Sequence, residues 1–193
     1  MIQNRPTFPL IDSHKDPLIV QTIDELKNRI PQIGRLEWIG VSSARKSSIQ
    51  PCEHASVVVG TGIEGDHHAT SGDGESKRQV TLIQSEHLST IAELLGKDRI
   101  AAQTVRRNLV ISGINLIALK DKRFRVGEVV LEGTGPCVPC SRMEENLGDG
   151  GYNAMRGHGG ITARVLAGGK IQIGDAVQLA ESPDRAASAN AVS

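Results

Sequence analysis

Two cysteines three residues apart, Cys137 and Cys140, sit in Gly135-Pro136-Cys137-Val138-Pro139-Cys140-Ser141-Arg142 and are the side chains here best suited to chemistry. A thiolate is both a nucleophile and a soft metal ligand, and a nearby cation such as Arg142 favours the ionised form. Spacing alone leaves several readings open: a zinc half-site, a redox pair, or one reactive thiol beside a packed one. Cys52-Glu53-His54 is the one further candidate for ligands, and it lies in a different loop.

Other groups could serve an anionic ligand. Arg106, Arg107 and Asn108 stand at the mouth of an apolar segment, and Arg78 and Gln79 stand at another, with Lys77 read as solvated. Fixed guanidinium forks and amides suit phosphate recognition. A solvated basic pair with a turn asparagine is the plainer reading of the first group. In Gly65-Asp66-His67-His68 the aspartate is read as pinning its own turn, and a histidine as a possible proton carrier. A glycine-rich tract, Gly148 to Gly160, follows the cysteines and carries Arg156 and His158. It is expected to form a mobile rim or an anion nest rather than a P-loop, because no Gly-Lys-Ser/Thr follows.

These groups must be held by short strands. Leu36 to Ser42, Ser56 to Val59, Gln79 to Ile83, Asn108 to Ile111, Arg125 to Glu132 and Ile171 to Leu179 are rich in β-branched residues and end in Gly, Asp or Asn. Gly168-Gly169-Lys170-Ile171-Gln172-Ile173-Gly174-Asp175 and the following strand suggest a tight hairpin. Helices are expected over Pro17 to Ile30, packed on the outside, over Ser85 to Leu95 with Ser85 as cap, and around Arg99 to Thr104. The division is an N-terminal extension (1–33) with one helix, a mainly β domain (34–180), and a disordered tail (181–193) that is too polar to fold alone.

Composition narrows the function. Basic and acidic residues balance at 22 each, which argues against nucleic acid and anionic membrane as partners. No apolar run nears the roughly 20 residues of a spanning helix, and a cytoplasmic location is expected. With Phe8, Trp38, Phe124 and Tyr152 as the only aromatics, the core must rest on Val, Ile and Leu.

In order along the chain, Gly62-Ile63-Glu64-Gly65-Asp66-His67-His68, Arg78 to Ile83, Arg106-Arg107-Asn108-Leu109-Val110-Ile111 and Gly135 to Arg142 resemble the MOSC family, the molybdenum cofactor sulfurase C-terminal domain, in its bacterial stand-alone form. The resemblance runs from about Gly34 to Leu179. It implies a MOSC-type β-barrel with a few short helices packed around it, and a cleft for the molybdenum cofactor, whose molybdopterin form it leaves open. It further implies that Cys140 ligates molybdenum or carries sulfur, with Cys137 as a resolving or packed thiol. Arg78, Gln79, Arg106, Asn108, Arg142, His67 and His158 become candidates for cofactor binding. Arg107 stands where some relatives have proline.

Relatives reduce N-hydroxylated compounds with electrons from partner proteins. A reductase of a small N-oxygenated substrate is therefore the first expectation, with a separate flavin or iron-sulfur electron donor. A sulfur carrier or cofactor-delivery module, supplied by a sulfur donor, is the second. A zinc-stabilised barrel without catalysis is the third. Pyridoxal phosphate is not expected, because no aminotransferase-like domain is recognisable.

Overall fold

The computed structural model describes residues 21–44, 47–67 and 76–180. Within them the elements run α1 (Ile23–Asn28), β1 (Gly34–Val41), β2 (Gln50–Cys52), β3 (His54–Val58), β4 (Gly62–Ile63), β5 (Val80–Gln84), α2 (Ser85–Leu94) and β6 (Leu109–Ser112). They continue with β7 (Arg123–Val126), β8 (Val129–Pro136), α3 (Arg142–Leu147), α4 (Gly151–Met155), β9 (Ile161–Ala167), β10 (Gly169–Gln172) and β11 (Ala176–Leu179). Short 3-10 turns span Ala102–Val105 and Leu116–Leu119.

The main sheet has the order β11-β7-β8-β9-β5-β6-β1-β2 and closes on itself where β1 pairs with β11, Gly34 opposite Val177. Closure protects the edges of the seven strands in the ring, and β2 hangs on β1 outside it. The fold is thus mainly β, a barrel with four short α-helices around it. Leu36, Ile39, Leu82, Leu109, Ile111, Phe124, Leu131 and Ile161 fill its interior.

One parallel pair, β5 with β6, interrupts an otherwise antiparallel barrel. Parallel neighbours need a crossover, and α2 and the Ala102–Val105 turn supply it. Both strands are covered on two faces, as parallel strands usually are. Val80 and Leu82 point into the barrel, while Ile83 and Val110 join Ile91, Met143, Leu147 and Met155 in a second cluster beneath the helices. That explains why these two segments read as nearly continuous apolar runs.

Several expectations need correction. The N-terminal helix is shorter than expected: α1 starts after Thr22, which closes a capping box with Glu25. It buries none of its residues, and Ile23 and Leu26 are exposed; within the described part of the expected segment it is Ile30, just past the helix, that packs on the barrel core. Residues 17–20 and the tail 181–193 lie outside the described residues. The strand expected over Arg125 to Glu132 is two strands, β7 and β8, folded back at Gly127-Glu128 with Val126 opposite Val129. The expected terminal hairpin does not form either. The strand β10 pairs with β3 in a separate three-stranded sheet, while β11 pairs with β7 and β1. Gln84, not Ser85, occupies the cap position of α2.

The glycine-rich tract departs furthest from expectation. Residues after Cys140 coil into α3 and α4, whose Met143, Leu147, Ala154 and Met155 are buried, so the tract is a packed layer and not a loose rim. Glu144 locks it: its carboxylate accepts from the backbone N–H of Gly150 at 2.8 Å and of Tyr152 at 2.6 Å. Gly160, at φ +81°, ends the tract so close to β5 that a Cβ would lie 1.8 Å from the Leu82 carbonyl oxygen.

Two outcomes follow. Gly160→Ala should destabilise the protein by roughly 2–4 kcal/mol in chemical denaturation, from positive-φ strain and steric conflict together. The backbone bonds from Tyr152 and Gly150 hold the Glu144 carboxyl below its ordinary range. A depressed folded value means the contribution is present above the unfolded pKa and is lost as pH falls through the folded one. The Gly150 and Tyr152 amide NMR signals should therefore titrate together at acid pH, and signals that stay fixed there would contradict the lock.

Candidate functional site

A cleft of about 200 Å³ opens where the start of β6, the end of β1, the Asp66 turn and the cysteine loop meet. Its floor is a polar network. Asn108 Oδ1 accepts from the Thr81 hydroxyl at 2.8 Å and the Thr81 N–H at 3.1 Å. Its Nδ2 donates to Asp66 Oδ2 at 3.0 Å and to the Gly40 carbonyl at 3.3 Å. Asp66 also accepts from the Ser42 N–H at 3.0 Å. One buried asparagine thereby ties three strands to the turn that carries His67. His67 Nδ1 lies 3.1 Å from the Ser42 carbonyl and 3.5 Å from Asp66.

Next to it stands Arg107, only 3% exposed. Its guanidinium donates to three backbone carbonyls: Gly159 at 2.8 Å, Val105 at 2.9 Å and Cys137 at 3.1 Å. Burial is the main effect lowering its pKa, opposed by the neighbouring Cys137 sulfur. A guanidinium nevertheless stays cationic in proteins. Arg107 thus brings a fixed positive charge to the cleft and anchors the cysteine loop to the end of the glycine tract.

The cleft gathers Cys140, Arg78, Arg106, Arg107, Arg142, Asp66, His67 and Asn108 from the residues singled out in the sequence, and adds Ser42, Ile49 and Met143. Cys140 is exposed there. Arg106 adopts a left-handed backbone, φ 55°, which a non-glycine residue adopts only at some cost. It donates to the Ser47 carbonyl at 2.8 Å. Burial and the adjacent Arg142 push its pKa down, while Asp66 and Cys140 oppose them. Asn108 faces the cleft with both amide atoms already bonded, so it acts here as a strut.

Three predicted site residues fall elsewhere. Gln79 is buried, and its Oε1 accepts from the Val165 N–H at 2.8 Å, turning it toward β9. His158 bonds the Ala154 carbonyl through Nδ1 at 2.9 Å and meets the edge of the His87 ring. Cys137, 2% exposed, donates its N–H to the Gly160 carbonyl and lines a different cavity. Arg156 lines that cavity too. His68 lies outside the described residues. Among the described residues no three of His, Cys, Asp and Glu converge on a metal-holding position, so the zinc reading finds no ligand set there. Arg107 is the residue that sequence reasoning undervalued. Beside Arg106 it looks like half of a solvated pair, and only the packing of Gly159 against it reveals its burial.

The cleft's two kinds of arginine should separate under mutation. Arg107→Met strands three carbonyls and should cost roughly 3 kcal/mol in chemical denaturation. Exposed Arg78→Ala should change stability by less than about 0.5 kcal/mol, yet reduce the stabilisation that added phosphate gives in thermal melts. Equal stability losses in the two variants would contradict the assignment.

Comparison with known proteins agrees with this architecture. No curated protein matches the chain. Among solved structures it is similar to the YuaD protein of Bacillus subtilis, with TM-score 0.67 and 20% identity over 79% of this chain and 100% of that one. It is also similar to YiiM from Geobacillus stearothermophilus, with TM-score 0.61 and 20% identity over 77% of this chain and 75% of that one. For YiiM from Escherichia coli the TM-score is 0.59 and the identity 18%, over 77% and 70% of the two chains. At such identities the likeness concerns the fold. The family model for the MOSC domain matches residues 64–178, the span that holds the Asp66 turn, the arginines, both cysteines of the loop and the closing strands, and the chain belongs to the MOSC domain family.

Proposed function

We propose that this protein binds the molybdenum cofactor in the arginine-lined cleft, with Cys140 as the protein ligand to molybdenum, and reduces N-hydroxylated or N-oxygenated compounds. The observation that carries this reading is the make-up of the cleft. Four arginines and an exposed thiol face it together, and Asp66, the carboxylate among the lining residues, already accepts from Ser42 and Asn108. That donor set fits a cofactor that combines phosphate with a thiophilic metal. Membership of a family associated with that cofactor adds support.

In this reading Arg78, Arg106 and Arg142 bind the anionic end of the pterin, and the buried charge of Arg107 adds to their field. Cys140 offers its thiolate from a loop held at its base by Arg107. His67, fixed by Ser42 and Asp66, is placed to pass a proton at its imidazole. The cofactor, when bound, supplies the two-electron chemistry that side chains lack. An N–OH group, two electrons and two protons give N–H and water. The electrons come from a separate flavin or iron-sulfur protein, because the sequence has neither a dinucleotide fingerprint nor a ferredoxin cysteine run.

The test is co-expression with cofactor-synthesis proteins, followed by metal analysis and an assay of benzamidoxime reduction by chemically reduced viologen. The wild type and Cys137→Ala should carry near-stoichiometric molybdenum and turn over, and Cys140→Ala should not. Molybdenum without turnover would replace the reductase with a carrier of cofactor or sulfur. Protein that retains neither molybdenum nor pterin would overturn the reading.

A further inference from the structure

A second cavity, of about 310 Å³, lies against the same cysteine loop. Cys137, Val138 and Pro139 line it, whereas Cys140 lines the arginine cleft, so the loop is a wall common to both. Leu116, Ile117, Pro136, Met155 and Ile161 make the cavity mostly apolar, and its size falls within the range of small-ligand pockets.

Its polar groups are few and placed with care. Gln84 is 9% exposed, and its Oε1 accepts from the Leu116 N–H at 3.0 Å. That bond fixes the amide plane and leaves Nε2 with no hydrogen-bond partner among the described residues. Among the described residues only His87 Nδ1 is both fully enclosed and unpaired, so Nε2 keeps solvent contact, and on a side chain that lines the cavity it can donate to a ligand there. Gln84 also stands at the cap position of α2 without bonding the helix, so local capping does not account for it. His87 lines the cavity one turn along α2, with Nδ1 buried and unpaired. Burial first, and the neighbouring His158 second, push its pKa below the ordinary imidazole value. Arg156 stands at the cavity as well, on the exposed side.

We propose that this cavity binds a small, flat, uncharged aromatic molecule whose carbonyl, ring-nitrogen or N–O oxygen acceptor receives the Gln84 Nε2–H. The apolar walls cover the ring, and the amide fixes its orientation. Naming that molecule as the organic substrate rests on the function proposed above. The binding itself does not, since the residues proposed to hold the cofactor line the other cleft.

The experiment titrates cofactor-free full-length protein with benzamide and with toluene, which keeps the ring but has no acceptor, and follows methyl and side-chain amide NMR signals. Benzamide should shift Ile117, Val138, Met155 and the Gln84 side-chain amide, and toluene should bind about tenfold more weakly, as expected for one net hydrogen bond. Ile117→Trp should abolish the benzamide shifts. Ile117 is 52% exposed, so this variant fills the cavity mouth without touching the core. Equal affinity for the two probes, shifts confined to the arginine cleft, or unchanged binding by Ile117→Trp would each overturn the proposal. Any of these leaves the molybdenum result untouched, so the two readings fail separately.

Discussion

The buried guanidinium of Arg107 is the contact on which the working end of this molecule depends. Three carbonyls from three segments converge on it: the turn before β6, the first cysteine, and the end of the glycine tract. All three carbonyls lie outside the strands. Removing the donor would leave buried acceptors unpaired, which costs more than the net value of the bonds themselves. The close approach also dictates glycine at 159, where a Cβ would stand 2.3 Å from the Cys137 carbonyl oxygen and 3.2 Å from Arg107. One side chain thus sets the position of the cysteine loop and, through it, the partition between a cationic cleft and an apolar cavity.

The barrel supplies the rigid frame for that arrangement. Its parallel pair, β5 with β6, is covered on both sides, and the polar network around Asn108 is built across the same pair. Buried networks of this kind are costly when half-made and rigid when complete. Here the asparagine uses both amide hydrogens and accepts twice, so the Asp66 turn and the end of β1 are fixed before any ligand arrives. The irregular pairing of β8 with β9 between Gly133 and Gly135 comes just before Cys137, at the point where the strand must leave the barrel wall.

Much of this was legible in the residues, and the failures have physical causes. The barrel and its apolar strands follow from β-branched runs broken by Gly, Asp and Asn. The grouping of Cys140, Arg78, Arg106 and Arg142 followed from family motifs, since no spacing rule joins positions so far apart. What the sequence hid was held by tertiary contact. The helices α3 and α4 are short, contain or border glycines, and are stabilised by Glu144 bonding across the turn between them, so their local signal is weak. Arg107 and Gln84 are polar residues whose burial depends on partners 52 and 32 positions away. The pairing of β10 with β3, and not with β11, is likewise a long-range choice that a hairpin-like turn sequence misrepresents.

The proposed function requires that Cys140 meet the metal. X-ray absorption at the molybdenum edge, on protein co-expressed with cofactor-synthesis proteins, reads the atoms bound to molybdenum directly. A Cys140 ligand should give one sulfur neighbour fewer in Cys140→Ser than in the wild type, with Cys137→Ser unchanged. Identical sulfur shells in the wild type and Cys140→Ser would contradict it.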